Sequence, residues 1–225
     1  MSVDKYREYS VLMSVYHKEK PEYLRQAIES IQSQTLPTDD FVLVCDGPLT
    51  SELNAVIAEY EQQYSCLQVI RLIKNCGLGN ALNEGLKYCK NELIARMDSD
   101  DISCPERCEK QLKLFQANPG ISLCSGTIEE FATDENAPIG VRNLPESEIQ
   151  ILKFSKKRNP FNHVAVMFKK SEVIAAGGYS EDYHLFEDYY LWIRMLKNGC
   201  KAVNLPDVLV KVRCEEDMYA RRGGG

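Results

Sequence analysis

The 225 residues predict an α/β fold whose sheet is mostly parallel and carries helices on both faces. Short apolar runs alternate with amphipathic stretches through the first hundred residues, and those stretches are long enough to be helical crossovers. A composition that is 44% hydrophobic can bury a large core.

In chain order, SVLMSVY at 10–16 has strand length. PEYLRQAIESIQSQ follows with Leu24, Ala27, Ile28 and Ile31 at helical spacing, and Pro21 suits a first turn. FVLVCDG at 41–47 is the second strand, and the helix from Ser51 sets Leu53, Val56, Ile57 and Tyr60 on one stripe. LQVIRLI at 67–73 is the third strand, LGNALNEGLKYC the third helix, and ELIARM the fourth strand.

The second half is less regular. PERCEKQLKLFQAN reads as a helix ending near Asn118-Pro119-Gly120, followed by a strand at about 121–131 and a loop over 132–146. After the basic segment KFSKKRNP, HVAVMFKK reads as a strand beginning at His163, with a short helix from Ser171. FEDYYLWIRMLKNG is a helix that stops at Gly199. No linker divides the chain, so one domain is expected over 1–225, with a regular half at about 10–120, a less regular half at about 121–214 and a tail at 215–225.

A net charge of -6 argues against a nucleic-acid partner, which would call for a basic excess or stripe. Nine cysteines without a regular framework, behind no secretory signal, point to reduced thiols in a cytoplasm. Cys104 and Cys108 lack the second pair or histidine that zinc requires. No apolar run approaches the ~20 residues that cross a bilayer, so any membrane contact is expected to be peripheral, at the inner surface.

In ELIARMDSDD, residues 92–101, three carboxylates fall within four positions directly after a strand. Clustered acids repel one another and resist burial, so a positive group is expected beside them. Ligands of an open parallel sheet collect at the carboxyl ends of its strands, where Asp46 ends the second and Asp98 and Asp100 the fourth. The Asp-Ser-Asp spacing lets Asp98 and Asp100, or one of these carboxylates and a bridging water, face a hard divalent cation such as Mn2+ or Mg2+, with diphosphate oxygens filling the remaining positions. It equally fits a polar turn in which Asp101 or Ser103 caps the helix near Pro105. Arg96 shares a strand face with Asp98, as a partner for the acids, for a donor sugar, or in a structural ion pair.

From Ser10 to about Val212 the chain resembles the family 2 glycosyltransferases of the GT-A fold, especially small bacterial members that build surface polysaccharides. The resemblance rests on VLMSVYHKEKPEYLRQAIESIQSQT, VLVCDGP, KNCGLGNALNEGL, ARMDSDD, HVAVMF and FEDYYLWIRM, all in order. It implies a Rossmann-like nucleotide-sugar-binding half and a mixed acceptor-side extension. The implied activity is metal-dependent, inverting transfer of a sugar from a nucleoside-diphosphate donor, UDP first, to a hydroxyl acceptor such as a lipid-linked oligosaccharide.

By that resemblance Tyr16 packs on the nucleobase with Glu19 nearby, Asp46 bonds the base or ribose, and Asn75 and Gly77 bring backbone close to the nucleotide. Each also has an ordinary reading, as a half-buried aromatic, a solvated loop charge or turn residues. The family more often shows a second acid and a serine where this chain has Cys45-Asp46-Gly47-Pro48. Asn83 and Gly85 are expected to serve packing. Asp188 is implied as the base, with Glu187 orienting the acceptor or substituting as base; locally the pair also suits a helix N-terminus. His163 either reaches the diphosphate or a metal, or is a structural hydrogen-bonder. Lys153, Lys156, Lys157 and Arg158 form a basic patch suited to an anionic membrane, a lipid diphosphate or plain solvation. A non-catalytic nucleotide-sugar binding module is the alternative. So is a sugar-nucleotide pyrophosphorylase, although that class needs a glycine-rich loop where this chain reads YHKEKPEY.

Overall fold

The structure, a computed structural model, describes residues 8–183 and 185–214; the tail expected at 215–225 lies outside the described residues. Strands β1 (Tyr9–Val15), β2 (Asp40–Cys45), β3 (Leu67–Arg71) and β4 (Leu93–Asp98) are parallel, in the order β3-β2-β1-β4. Helices α1 (Pro21–Gln32), α2 (Ser51–Gln63) and α3 (Leu78–Leu86) connect them. Pro21 occupies the first turn of α1, and the Thr50 hydroxyl accepts the Leu53 amide at 3.2 Å to cap α2.

Beyond β4 the sheet becomes mixed. The chain supplies β5 (Ile102–Ser103), α4 (Arg107–Ala117), β6 (Ile121–Phe131), β7 (Pro138–Arg142), α5 (Glu148–Phe154), β8 (Met167–Lys169), α6 (Lys170–Ala175), α7 (Glu187–Lys197) and β9 (Lys201–Arg213). The order continues β4-β8-β6-β9-β5, with β7 on β6. Strand β8 is antiparallel to both neighbours, whereas β6 and β9 run parallel.

Strand alternation divides the core between two faces. Val11, Met13, Val15, Phe41 and Leu43 cluster with Leu24, Ile28, Leu53, Ile57 and Phe115 of α1, α2 and α4. Leu12, Val42, Val44 and Ile94 cluster with Leu82, Leu86, Leu191, Trp192 and Met195 of α3 and α7. Gly85 lets α3 lie close on the sheet, since a Cβ there would meet Leu12 and would stand 2.7 Å from Val44 Cγ2. The packing role expected of Gly85 therefore holds, while Asn83 instead brackets Tyr179, donating to its carbonyl at 2.7 Å and accepting its amide at 2.8 Å.

Several expectations are corrected. His163 begins no strand: His163–Ala165 form a short 3-10 turn, anchored where Asn162 donates to the Gly126 carbonyl at 2.8 Å, and the strand starts at Met167. Helix α4 starts at Arg107 with Glu106 at its N-cap, and neither Asp101 nor Ser103 caps it. The loop expected over 132–146 contains the edge strand β7, which borrows its hydrogen bonds from β6. No helix among the described residues is long and apolar enough to cross a membrane.

Candidate active site

The register Val15↔Cys45 and Ser14↔Asp98 brings the carboxyl ends of β1, β2 and β4 to one sheet edge. Tyr16 leaves that edge 41% exposed, its ring against His17 in an edge contact. Asp46 is buried, and its carboxylate accepts the amides of Cys76 at 2.7 Å and Gly77 at 3.0 Å; its carbonyl accepts the Asn75 amide group at 3.2 Å. The structure thus brings Asp46, Asn75 and Gly77 together, with Asp46 shaping the turn into α3. Gly77 has φ +86°, a left-handed conformation that favours glycine, and a Cβ at Gly47 would stand 2.5 Å from the Asn75 nitrogen.

The acid turn is the next element along the edge. Arg96 is buried and pairs with both oxygens of Asp98, one at 2.7 Å. Burial opposes the Arg96 charge, yet Asp98, Tyr179 and Asp188 around it hold its pKa above the ordinary value. Carboxylate oxygens of Asp98, Asp100 and Asp101 all lie within 4.8 Å of one another. Burial and the charges of Asp98 and Glu19 push Asp100 up to about 7, and burial with Asp100 and Asp98 raises Asp101 well above the usual carboxylate range. Glu19 closes over the turn by accepting the Ser99 hydroxyl at 2.6 Å.

These oxygens suit a hard divalent cation: the donor set is all carboxylate, and three carboxylates this close crowd negative charge that a dication would relieve. The expected ligands Asp98 and Asp100 are brought together, with Asp101 added. Sequence reasoning missed Arg213, which holds this turn from the last strand. Its backbone amide donates to Asp101 at 2.8 Å, its Nε donates to the Asp100 carbonyl at 3.2 Å, and its guanidinium stacks 3.9 Å from the Tyr23 ring centroid.

The second group of side chains surrounds the first turn of α7. Asp188 accepts the Asn159 side chain at 2.6 Å and the Tyr189 amide at 2.7 Å, while burial raises its pKa. Glu187 is 8% exposed, and its Oε2 has no hydrogen-bond partner among the described residues. His163 pairs its Nε2 with the Tyr179 hydroxyl at 3.0 Å; burial and Arg96 hold its pKa well below the ordinary value, so the ring is neutral. Tyr179, also missed, lies between the two groups: it is buried, bonds His163, packs on Trp192, and burial, opposed by the Arg96 charge and aided by the carboxylates of Asp188, Asp98 and Glu187, raises its pKa. The signal for it was Gly177-Gly178, whose φ values of +88° and +66° turn the chain into position beneath Asn83. Asn159 carried no sequence signal beyond its basic neighbours.

The profile described as "Glycosyl transferase family 2" matches residues 10–173. The chain is 46% identical over 217 residues to the amylovoran biosynthesis glycosyltransferase AmsE of Erwinia amylovora, covering 96% of this chain and 80% of that one. It is 42% identical over 217 residues to an Escherichia coli enzyme named UDP-Gal:alpha-D-GlcNAc-diphosphoundecaprenol beta-1,3-galactosyltransferase, covering 96% and 78%. In structure it resembles a mannosyltransferase from Pyrobaculum calidifontis in complex with GDP-Man and Mn2+, with TM-score 0.73 at 15% identity, covering 96% of this chain and 59% of that one. That likeness establishes the GT-A type of fold, and the chain spans about three fifths of the solved protein.

Proposed function

The chain belongs to the family 2 glycosyltransferases, and from that premise we propose metal-dependent, inverting transfer of a sugar from a nucleoside diphosphate to a hydroxyl acceptor. The observation that supports the reading most is the acid turn itself, with carboxylate oxygens of Asp98, Asp100 and Asp101 within 4.8 Å of one another and Asp98 paired to the buried Arg96. UDP is the proposed nucleotide and a lipid-linked saccharide the proposed acceptor; the galactosyltransferase relative's name supports both. The reading puts the enzyme in polysaccharide synthesis at the cytoplasmic face of a membrane.

In this reading Tyr16 stacks on the base and the Asp46-held turn at Asn75 and Gly77 lines the nucleotide. Asp98, Asp100 and Asp101 hold Mn2+ or Mg2+, which supplies positive charge against the departing diphosphate when bound. Arg96 pairs with Asp98 and orients it, and Glu19 fixes the turn through Ser99. Asp188 takes the proton of the acceptor hydroxyl as that oxygen bonds to the anomeric carbon and the bond to diphosphate breaks. Asn159 and the Tyr189 amide aim its carboxylate, and the unpartnered Glu187 oxygen is available to an acceptor hydroxyl. His163 acts by positioning Tyr179.

One base and one displacement invert the anomeric centre. Incubation with UDP-sugars, Mn2+ and a saccharide diphosphate lipid, followed by NMR of the product linkage, tests this. A β linkage from an α donor is expected; retained α configuration refutes inversion, and absence of transfer from every UDP- and GDP-sugar refutes the enzyme reading.

A further inference from the structure

An apolar groove of about 860 Å³ lies along α5 and along α7, the helix that carries the proposed base. Leu152 and Ser155 form one wall, and Tyr183, Phe186, Tyr190 and Ile193 most of the other. Leu152 is 40% and Phe186 61% exposed, so large apolar side chains stay in water at its rim. Contiguous exposed apolar surface of this kind marks a binding site rather than ordinary surface.

Two features identify its occupant. The first is continuity with Asp188: the next residue, Tyr189, lines the groove and donates its hydroxyl to the Ser155 carbonyl at 2.6 Å, while Asn159, bonded to Asp188, follows the same basic segment. The second is charge. Lys156 and Lys197 line the groove, and Lys153, Lys157 and Arg158 are exposed beside it. The groove therefore joins an apolar trough to cations in its own lining, and it begins one residue from the proposed base. A saccharide diphosphate lipid combines the complementary parts: hydrocarbon, diphosphate and a hydroxyl.

Resting on the reading of Asp188 as the acceptor's base, we infer that this groove seats the first isoprene units of a polyprenyl-diphosphate acceptor, with Lys156 and its basic neighbours at the diphosphate. A volume of about 860 Å³ suits a drug-sized segment, so the rest of a long chain remains in the bilayer.

The probe is geranylgeranyl diphosphate below its micellar concentration, titrated by calorimetry into the full chain, with inorganic diphosphate as the polar control. Geranylgeranyl diphosphate is expected to bind and inorganic diphosphate to bind far more weakly. Leu152→Glu and Lys156→Glu, both at exposed positions, should each weaken the lipid by about tenfold or more, while UDP binding with Mn2+ is unchanged. Absent lipid binding, equal binding of inorganic diphosphate, or variants that bind the lipid normally would overturn the inference. It is also overturned if phosphatidylglycerol vesicles without isoprenoid bind equally well and with the same sensitivity to both variants, or if the variants act by dissolving a dimer seen in sedimentation. Loss of UDP binding in the unmutated protein would instead strike the proposed function.

Discussion

The two halves of the sheet are built by different rules. In β3-β2-β1-β4 one helix connects each strand to the next in sequence, every pairing is parallel, and the core alternates cleanly between faces. In β8-β6-β9-β5 the partners are distant in sequence, directions mix, and the register of β6 on β9 slips at Gly126 and Thr127. The regular half ends its strands at one edge, which is where the acid turn and the Asp46-held turn into α3 stand side by side. The irregular half delivers single residues back to that edge: Asn159, His163, Tyr179, Asp188 and Arg213. Repetition makes the edge and brings the acids to it, and irregular chain adds the side chains that surround them.

Removing one group from each half separates their duties. Asp188→Asn keeps the hydrogen-bonding shape but cannot take a proton, so turnover should fall by about a thousandfold in a donor-transfer assay. Asp100→Asn, in the acid turn, should lower turnover by about a hundredfold through the metal and diphosphate. It should also raise the melting temperature of the metal-free protein at pH 8. The sign follows from the raised pKa: the folded protein retains a proton near pH 4–7 that the unfolded chain has lost, so Asp100 costs stability as pH rises towards and beyond about 7. Calorimetric melts from pH 5 to 8 read that difference.

Smaller effects refine the contrast. Gly85→Ala in the regular half should cost about 1–3 kcal/mol in a urea melt, because the new methyl meets Leu12 and Val44. In the irregular half Asn159→Ala should change stability less and the pH profile more. The Asn159 hydrogen bond lowers the Asp188 pKa, so its loss should move the acidic limb of the rate profile to higher pH. An unmoved limb would show that Asp188 is not the titrating base.

How much could be read from the sequence follows the same division. Local periodicity placed β1 to β4 and α1 to α3 within a few residues, because each segment's pattern is its own. The 13-residue β9 escaped it, since Pro206 and Asp207 interrupt the run and its strand character comes from pairing with β6. Asp98, Asp100 and Arg96 were legible because strand-end position and alternation suffice to group them. Tyr179 and Arg213 were not: Tyr179 sits 83 positions from Arg96, and Arg213 112 positions from Asp101. Only tertiary packing joins them.

Calorimetry of UDP with and without Mn2+, on the unmutated chain, Asp100→Asn and Asp188→Asn, tests the division most directly. The account predicts Mn2+-dependent binding that Asp188→Asn retains and Asp100→Asn loses. Equal Mn2+-dependent affinity in Asp100→Asn and the unmutated chain would contradict it.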